Sequence, residues 1–594
     1  MATPLQLLRQ EMLRLQVQAV IVPSNDTHFS EYVSAHFKCR GWLTGFDGSA
    51  GTAVVTTAGA ALFTDSRYFL QAEAQLSQDF VLQKQGLTDS ISEVDFIKKT
   101  VANGTVGVNA SLYSAKDYEK LQQDVQPLQL KNIGDVFAAI WADRPALPTT
   151  PAFLLDVQFA GKSIAQKLAA VKSLLNPPAH SVYVVTALDQ TAWLLNLRGG
   201  DVAYTPVALA YTIVDWDSNS LVLFIDRQKI SAETLQLLEK QQVTIDSYSD
   251  FEQQLPHYTK GKTVQLHPQF TSHSAVQIIA QNAAKILPES GSTTCINLLK
   301  AQKNEVEIAG VQQAMIYDGA AWVKFWFWLE QNVDIQQVTE ISAAQQLRQF
   351  RAAMPHFLDE SFAPIVGYGE HGAIVHYSAT PAGNARIVRD NFVLIDTGGQ
   401  YRLGTTDITR TLHLGTPTAQ QKRDYTLVLK GHIALSTAVF AEGTRGAQLD
   451  MLARQPMLKQ HLHYMHGTGH GVGHCLSVHE GPQSIRLNEN PALLQKGMIT
   501  SCEPGLYRSG QYGIRIENLV LTVDSGSSEF GNFYKFEPLT LCPYDLNSID
   551  LNLLDAVEKE YVNNYHSTVY KKINDLLTAE ERAFLEQKCR AIAV

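Results

Sequence analysis

The segment IDTGGQYRLGTTDITRT, residues 395–411, decides the fold of the domain that carries it. Asp396 closes the apolar run FVLID, and Asp407 lies among the strand-forming residues of TTDITRT. A carboxylate beside a buried strand is costly unless it is paired with a cation or coordinates a metal ion. The segment therefore predicts strands that carry acidic side chains, in a domain that mixes α and β structure.

A glycine-rich segment further along the chain supplies imidazoles. It reads HGTGHGVGHCLSVHEGP, residues 466–482, and contains His466, His470, His474 and His479. The first two histidines have the spacing of a helical zinc motif, but the glycines between and beyond them make a helix improbable. In extended backbone the same spacing still places both imidazoles on one face. A close-packed site is predicted here, not a helical zinc motif.

Two further acids follow, Glu503 in SCEPG and Glu517 in GIRIEN. Taken singly, such residues are more often turn, loop or ion-paired carboxylates. Together, one imidazole and four carboxylates form an oxygen-rich set that suits two divalent ions such as Mn(II). Two ions can share bridging carboxylates and lower the pKa of a bridging water. The combination predicts a two-metal hydrolytic site.

These segments resemble the metal-binding segments of the pita-bread metallopeptidases, a family that includes methionine aminopeptidase, prolidase and aminopeptidase P. Four further segments resemble the long, three-domain aminopeptidase P type: GFDGSAGTA (residues 45–53), FTDSRYFLQA (63–72), DQTAWLLNLRG (189–199) and FEPLTLCPYD (536–545). The resemblance covers essentially the whole chain.

The resemblance implies two related creatinase-type N-terminal α/β domains, followed by a pita-bread α+β catalytic domain with a C-terminal helical extension. Proline-rich DRPALPTTP and small, polar LPESGSTT look like linkers, and the first two segments repeat one order of apolar runs and polar turns. Asn304 and Glu307 predict the capped start of a long helix. The predicted domains cover residues 1–144, 145–296 and 297–594.

The resemblance also implies residue roles. It implies an aminopeptidase that releases the first residue of a peptide whose second residue is proline, by attack of a hydroxide bridging two divalent metals, with Mn(II) as the expected metal. The implied metal ligands are Asp396 on one ion, Asp407 and Glu517 bridging both, and His470 and Glu503 on the other. The implied catalytic residues are His376, His466, His479 and Glu503, with supporting roles for Tyr507 and Arg515.

Two residues depart from the family pattern. Cys502 stands where an acid or amide is more usual, and His474 adds an imidazole that the family does not require. Neither departure removes a ligand. A thiol beside a metal is a candidate for a lowered pKa, and the effect of Cys502 and His474 on metal affinity or sensitivity to oxidation is left open by the sequence.

Composition excludes several classes of protein. The formal net charge is −10 and no Lys/Arg block stands out, which argues against nucleic acid or an anionic membrane surface as partner. No apolar run is long enough to span a bilayer. The N-terminal residues predict an amphipathic helix, not a secretory signal, and six scattered cysteines suggest a reducing compartment. A cytoplasmic protein is expected, and the resemblance implies a homodimer.

Three alternatives remain. An aspartic protease would use the D-[ST]-G motifs at Asp396 and Asp524, although a hairpin turn explains Asp524 more simply. A prolidase would cleave only Xaa-Pro dipeptides, but such chains usually lack the middle domain. A non-catalytic peptide-binding module on the same fold is the third, because fold alone does not fix function.

Overall fold

The computed structural model describes residues 2–594. The chain divides into two compact units, Met1–Leu155 with Lys162–Ile296, and Asp156–Gly161 with Asn297–Val594. The three domain ranges expected from the sequence remain predictions, because the division into two units does not test them. No helix of residues 2–594 is both long enough and apolar enough to cross a bilayer.

The first unit begins with a six-stranded sheet in the order β4-β3-β2-β1-β5-β6. The strands are β1 (Ala19–Val22), β2 (Thr52–Thr56), β3 (Ala60–Thr64), β4 (Val81–Lys84), β5 (Thr105–Val108) and β6 (Gln129–Asn132). Its helices are α1 (Pro4–Leu15), α2 (Cys39–Thr44), α3 (Phe69–Gln75), α4 (Glu93–Thr100), α5 (Ala115–Asp124) and α6 (Phe137–Ile140). Helix α1 buries Leu5, Leu8 and Met12 and exposes its other face, which confirms the predicted amphipathic start.

The same unit contains a second six-stranded sheet, in the order β12-β11-β10-β8-β13-β14. The next strands along the chain are β7 (Phe153–Leu154), β8 (Ser181–Val185), β9 (Leu197–Arg198), β10 (Ala210–Asp215), β11 (Ser220–Ile225), β12 (Val243–Asp246), β13 (Thr263–Leu266) and β14 (Lys285–Pro288). The helices from residue 157 to 301 are α7 (Val157–Ala160), α8 (Ile164–Leu175), α9 (Leu188–Leu194), α10 (Ala232–Lys240), α11 (Phe251–Thr259), α12 (His273–Asn282) and α13 (Cys295–Ala301).

The two large sheets repeat one topology. In each sheet a central strand, β1 or β8, has an antiparallel neighbour on one side and a parallel neighbour on the other. The outer pairs β3 with β4 and β11 with β12 are parallel in both sheets, as are β5 with β6 and β13 with β14. The shared order and direction confirm the duplicated α/β unit predicted from the sequence.

The second unit is built from small antiparallel sheets surrounded by helices. Its sheets have the orders β15-β18-β19, β16-β17-β20, β21-β28-β27-β24, β22-β23 and β25-β26. The strands are β15 (Phe357–Glu360), β16 (Ile365–Tyr368), β17 (Phe392–Thr397), β18 (Gly399–Tyr401), β19 (Gly404–Thr405), β20 (Ile408–His413), β21 (Val439–Ala441), β22 (Gly469–His470), β23 (Ser484–Ile485), β24 (Ile499–Cys502), β25 (Gly505–Arg508), β26 (Tyr512–Arg515), β27 (Asn518–Ser528) and β28 (Gly531–Pro538). The helices are α14 (Glu305–Asn332), α15 (Glu340–Ala352), α16 (Ala419–Ser436), α17 (Gly446–Leu458), α18 (Ala556–Ile573) and α19 (Ala579–Lys588).

Helix α14 supplies much of the core of this unit. The Asn304 side chain accepts hydrogen bonds from the amides of Val306 and Glu307, and the Glu307 carboxylate accepts one from the Asn304 amide. This capping box satisfies amides at the helix start that have no partner inside the helix, and it confirms the predicted capped start. Trp322 and Trp326 from the same helix belong to one apolar cluster with residues of β17 and β20, so the strand that ends in Asp396 rests on a packed core.

Candidate metal centre

Strand pairing brings the four acidic residues together. Asp396 lies on β17 opposite Thr409 of β20, and Asp407 immediately precedes β20. On a different sheet, Cys502 pairs with Asn518, so the flanking residues Glu503 and Glu517 are neighbours. The Glu517 amide donates a 3.1 Å hydrogen bond to the Thr409 carbonyl, which joins the two sheets where the carboxylates converge.

His470 lies beside these four acidic residues, and the five residues together are called the group below. Its Nε2 lies 3.5 Å from Asp407 Oδ2 and 3.4 Å from Glu503 Oε1. Ligand atoms of Asp407, His470 and Glu517 all lie within 4.8 Å of one another, a spacing that can hold a metal ion. The His470 Nδ1 is 3.0 Å from the Gly471 carbonyl oxygen. A donor hydrogen bond from Nδ1 to a carbonyl is the usual way that a ligating histidine presents its Nε2 lone pair to a metal.

Three carboxylate oxygens of this group have no hydrogen-bond partner among residues 2–594, although they are buried: Asp396 Oδ1, Asp407 Oδ1 and Glu517 Oε1. The opposite oxygen of Glu517 accepts a 2.8 Å bond from the Thr409 hydroxyl. Buried carboxylate oxygens without partners are rare because desolvation is uncompensated. Divalent cations with oxygen and imidazole ligands fit this donor set.

The charges of the group perturb its pKa values. Burial raises the pKa of Asp396 to about 6, with Asp407 and Glu503 adding to the shift and Arg515 opposing it. Burial, then the neighbouring carboxylates, raise the pKa of Glu517 well above its ordinary value. Burial lowers the pKa of His470, but Asp407 and Glu503 outweigh this effect and bring it to about 9. Like charges confined in a buried site favour a bound cation.

A hydrogen-bonded chain leads from Asp396 to His466. Arg515 Nη2 donates to Asp396 Oδ2 at 2.6 Å, and Arg515 Nη1 donates to the Tyr507 hydroxyl at 2.7 Å. Because that hydroxyl already accepts from arginine, its own proton is available to His466 Nε2, 2.8 Å away. Burial, and then Arg515, lower the pKa of His466 to about 3. His466 is therefore a neutral imidazole held by Tyr507.

The other two predicted histidines lie at different edges of the group. The exposed His479 packs edge-on against His470, with ring centroids 4.3 Å apart. His376 is half-buried and follows Val375, whose carbonyl oxygen accepts a 3.5 Å bond from Arg515 Nη2. The structure thus connects each of the eight predicted site residues to one network, through its side chain or, for His376, through the adjacent backbone.

The lowered pKa considered for the Cys502 thiol is contradicted. Burial raises this pKa, Glu517 and Glu503 add to the rise, and the Ser436 hydroxyl, 3.6 Å from the sulfur, opposes it. His432 Nδ1 of α16 also lies 3.5 Å from the sulfur. The extra imidazole of His474 also lies outside the group, with Nε2 3.0 Å from the Phe159 carbonyl oxygen.

The structure does not bring Asp396 and Asp524 together as the aspartic protease alternative would require. Asp524 is largely exposed on β27 and forms an ion pair with Lys496. The acidic neighbours of Asp396 are instead Asp407 and Glu503.

Sequence reasoning missed supporting residues that the structure reveals. Thr409 and Ser501 hold the carboxylates of Glu517 and Glu503 through their hydroxyls. Glu480, buried behind His479, pairs with Lys300 at 2.8 Å and Lys303 at 2.9 Å. The alternation of threonines in TTDITRT was a signal for Thr409, whereas the lysines are remote in sequence and gave none.

Comparisons with known proteins agree with this architecture. Metallopeptidase family M24 matches residues 309–524 and its C-terminal region matches residues 532–592, while the Creatinase/Prolidase N-terminal domain matches residues 4–140 and again 143–307. The predicted fold class is confirmed.

Relatives match over nearly the whole chain. A probable Xaa-Pro aminopeptidase P of Laccaria bicolor is 40% identical over 98% of this chain and 92% of its own length. Aminopeptidase P2 of Arabidopsis thaliana is 38% identical over 94% of this chain and 84% of its own. An X-prolyl aminopeptidase structure from Caenorhabditis elegans, described as a cytosolic enzyme with a di-nuclear active site, has a TM-score of 0.93 at 32% identity and covers 100% of both chains. The chain therefore belongs to metallopeptidase family M24 and, within that family, to the aminopeptidase P group.

Proposed function

We propose that this protein is a metal-dependent aminopeptidase that releases the N-terminal residue of peptides with proline in the second position. The observation that carries the proposal is the buried group of four carboxylates and one imidazole, in which three carboxylate oxygens have no partner within residues 2–594. Relatives over nearly the full length are named as Xaa-Pro aminopeptidases, which supports the proline specificity.

The proposed cofactor is a pair of divalent ions, with Mn(II) as the metal. Asp396 would bind one ion, Asp407 and Glu517 would bridge both, and His470 and Glu503 would complete the other. The oxygen-rich donor set favours a hard or borderline ion of this kind. When bound, such a pair supplies Lewis acidity and a nucleophile at neutral pH.

The chain's own residues position the substrate and move protons. Glu503 is held by the Ser501 hydroxyl at 3.1 Å, and burial raises its pKa, so its carboxyl is suited to accept and return a proton. The exposed His479 can donate to the carbonyl oxygen as negative charge develops there. The substrate amine would lie near Asp396, His376 would steady the bound peptide, and His466 and His479 would lie near the scissile carbonyl and its leaving nitrogen.

Two other functions on this fold are weaker candidates. A prolidase is supported by a distant structure, an Xaa-Pro dipeptidase from Bacillus anthracis at 21% identity and a TM-score of 0.50, which shows a shared fold alone. A binding module would be expected to lose ligands, whereas every donor type of the proposed set is present here.

We also propose a cytoplasmic location and a homodimer. A related X-prolyl aminopeptidase is described as cytosolic, and the dimer is suggested by family resemblance. Light scattering after size-exclusion chromatography tests the second point, because a single-chain mass would contradict it.

The activity is tested with metal-stripped protein, with and without added Mn(II), on Arg-Pro-Pro, Arg-Pro and Arg-Ala-Ala. Manganese-dependent release of arginine from Arg-Pro-Pro, with little from the others, is the expected result. Cleavage of Arg-Pro alone would assign a prolidase. No release from any peptide with any divalent ion would refute the enzyme and favour a binding module.

A further inference from the structure

The segment that carries His376 is an irregular loop, residues 368–377, which we call the His376 segment. It begins at the end of β16 and contains a short 3-10 turn, Gly369–Ala373. Besides the pairing of Tyr368 with Val393 in the sheet and the 3-10 turn itself, backbone hydrogen bonds run from the Ile374 amide to the His371 carbonyl and from the Tyr377 amide to the Ile374 carbonyl. Side chains outside the segment add further contacts to its backbone and hydroxyl groups.

Glu340, the first residue of α15, makes such contacts. Its carboxylate is fully buried. Oε1 accepts from the Tyr368 amide and from His371 Nδ1, each at 2.8 Å. Oε2 accepts from the Ala385 amide at 2.8 Å and lies 2.8 Å from the Tyr377 hydroxyl, whose single proton is shared between Oε2 and the Gly383 carbonyl oxygen at 2.7 Å. Three of these four donors belong to the His376 segment and include both of its ends.

The hydrogen bonds to Glu340 are expected to be strong and to hold their donors in place. Hydrogen bonds to an ionised carboxylate are roughly twice as strong as neutral ones, and the N-terminal end of α15 favours negative charge at Glu340. The rings of His371 and Tyr377 stack with centroids 4.5 Å apart, so two of the donors also support each other. A buried carboxylate with every oxygen occupied holds its donors in one geometry.

A second hydrogen bond holds the segment, and its donor also contacts a proposed metal ligand. Arg515, which binds Asp396, donates through Nη2 to the carbonyl of Val375. The backbone of His376 is thus held between Val375 on one side and the Glu340-bound Tyr377 on the other. Neither contact uses the imidazole of His376.

We propose that Glu340 is a positioning residue that holds the His376 imidazole where the peptide substrate meets it. The inference rests on the proposed peptidase function, because His376 has a substrate to contact only in that case. Glu340 touches no reacting atom and acts through the His376 segment. Its loss would therefore weaken substrate binding while leaving the metal content of the protein unchanged.

Tyr377→Phe tests the proposal, with Tyr368→Phe as its matched control. Both variants remove one hydroxyl from the same segment, but the Tyr368 hydroxyl contacts Asp390 and not Glu340. Loss of the Tyr377 hydroxyl, with its contacts to Glu340 and the Gly383 carbonyl, predicts a rise in KM for Arg-Pro-Pro of about two- to tenfold in Tyr377→Phe, with kcat and bound metal nearly unchanged. Tyr368→Phe should keep the wild-type KM. Glu340→Gln, which keeps the shape and loses acceptors, should exceed the effect of Tyr377→Phe.

A double-mutant cycle separates positioning from a general structural role. If Tyr377 acts through His376, the double variant His376→Ala/Tyr377→Phe should have the same KM as His376→Ala alone. Additive effects would overturn the inference, as would a loss of thermal stability without a change in KM, or failure of both Tyr377→Phe and Glu340→Gln to fold. Wild-type protein that cleaves no peptide would instead refute the proposed function, and the inference would fall with it.

Discussion

His470 and His479 lie edge to face, with ring centroids 4.3 Å apart, because the loop between them closes on itself. The Glu480 amide donates a 2.8 Å hydrogen bond to the Gly471 carbonyl, and the Gly473 amide donates to Ser477. Each histidine immediately precedes a residue of the first bond, so closing the loop brings the two rings together. The buried Glu480 side chain forms ion pairs with Lys300 and Lys303, and these pairs hold the loop against that part of the chain.

Gly471→Ala should open this loop. An added Cβ would lie 2.1 Å from the Glu480 carbonyl oxygen and 2.7 Å from Gln483 Nε2, so backbone must move and His470 with it. Because a misplacement of about 1 Å at a reacting centre costs roughly 100-fold, kcat/KM for Arg-Pro-Pro should fall by about that factor. In the control Gly467→Ala the nearest atom is Arg486 Cβ at an ordinary 3.6 Å, and activity should persist. Equal activity of the two variants would contradict the role of loop closure.

Tyr507→Phe should release His466 from its fixed orientation. The variant removes the hydroxyl that joins Arg515 to His466 Nε2. Loss of a hydrogen bond linked to a charged group, worth about 1.5–3 kcal/mol, predicts a decrease in kcat/KM of about 10- to 100-fold. Tyr512→Phe is the control, since its hydroxyl lies on the same β25–β26 hairpin but bonds to Asp424. A similar loss in both variants would point to the hairpin and not to His466.

Chelation should destabilise the protein, and divalent metal should restore it. A ligand at a thousandfold excess over its Kd stabilises the folded state by about 4 kcal/mol, so added Mn(II) should raise the midpoint of thermal unfolding. Glu517→Gln, which removes a buried member of the group, should abolish most of this increase. Glu537→Gln, on an exposed residue of β28, should retain it. A metal-induced increase that survives in Glu517→Gln would place the metal elsewhere.

Acid should destabilise the protein through His566. Burial, and then Arg410, lower the pKa of this histidine to about 3, and its Nε2 accepts a 3.0 Å bond from the Tyr544 amide. Since the folded pKa lies below the unfolded value, its stabilising contribution is complete above about pH 6.5 and is lost as the pH falls towards 3. At pH 5 the free energy of unfolding should fall by about 2 kcal/mol from this residue alone.

His566→Gln offers an amide oxygen to Tyr544 without a titrating ring. Denaturant unfolding from pH 7 to pH 5 should therefore show a shallower loss of stability in this variant than in the wild type. The exposed His463 serves as the control, and His463→Gln should keep the wild-type slope. An unchanged slope in His566→Gln would show that His566 does not titrate on unfolding.

The sequence predicted the duplicated sheets from local patterns, and family resemblance singled out the acids and the imidazole that the structure brings together around Asp407. Apolar runs that end in an acid, such as FVLID, identify Asp396 as a strand-end carboxylate, and the Asn304–Glu307 spacing identifies the start of α14. The end of this strand and the start of this helix depend little on the rest of the chain.

Properties set by distant contacts could not be predicted. The lowered pKa considered for Cys502 had the wrong direction because residues remote in sequence, including those of α16, bury the thiol. Glu340 gave no signal, since it resembles an ordinary acidic residue at a helix start. Its donors, Tyr368 and Ala385 among them, lie well outside that helix.

The proposed function requires that the group around Asp407 and Glu517 holds two divalent ions on which peptide cleavage depends. Bound manganese per chain, measured by mass spectrometry together with release of arginine from Arg-Pro-Pro, tests it directly in wild type and Asp407→Asn. We expect two ions per chain in the wild type, and loss of both bound manganese and arginine release in the variant. Release from metal-free protein at the loaded rate, or unchanged manganese in Asp407→Asn, would contradict it.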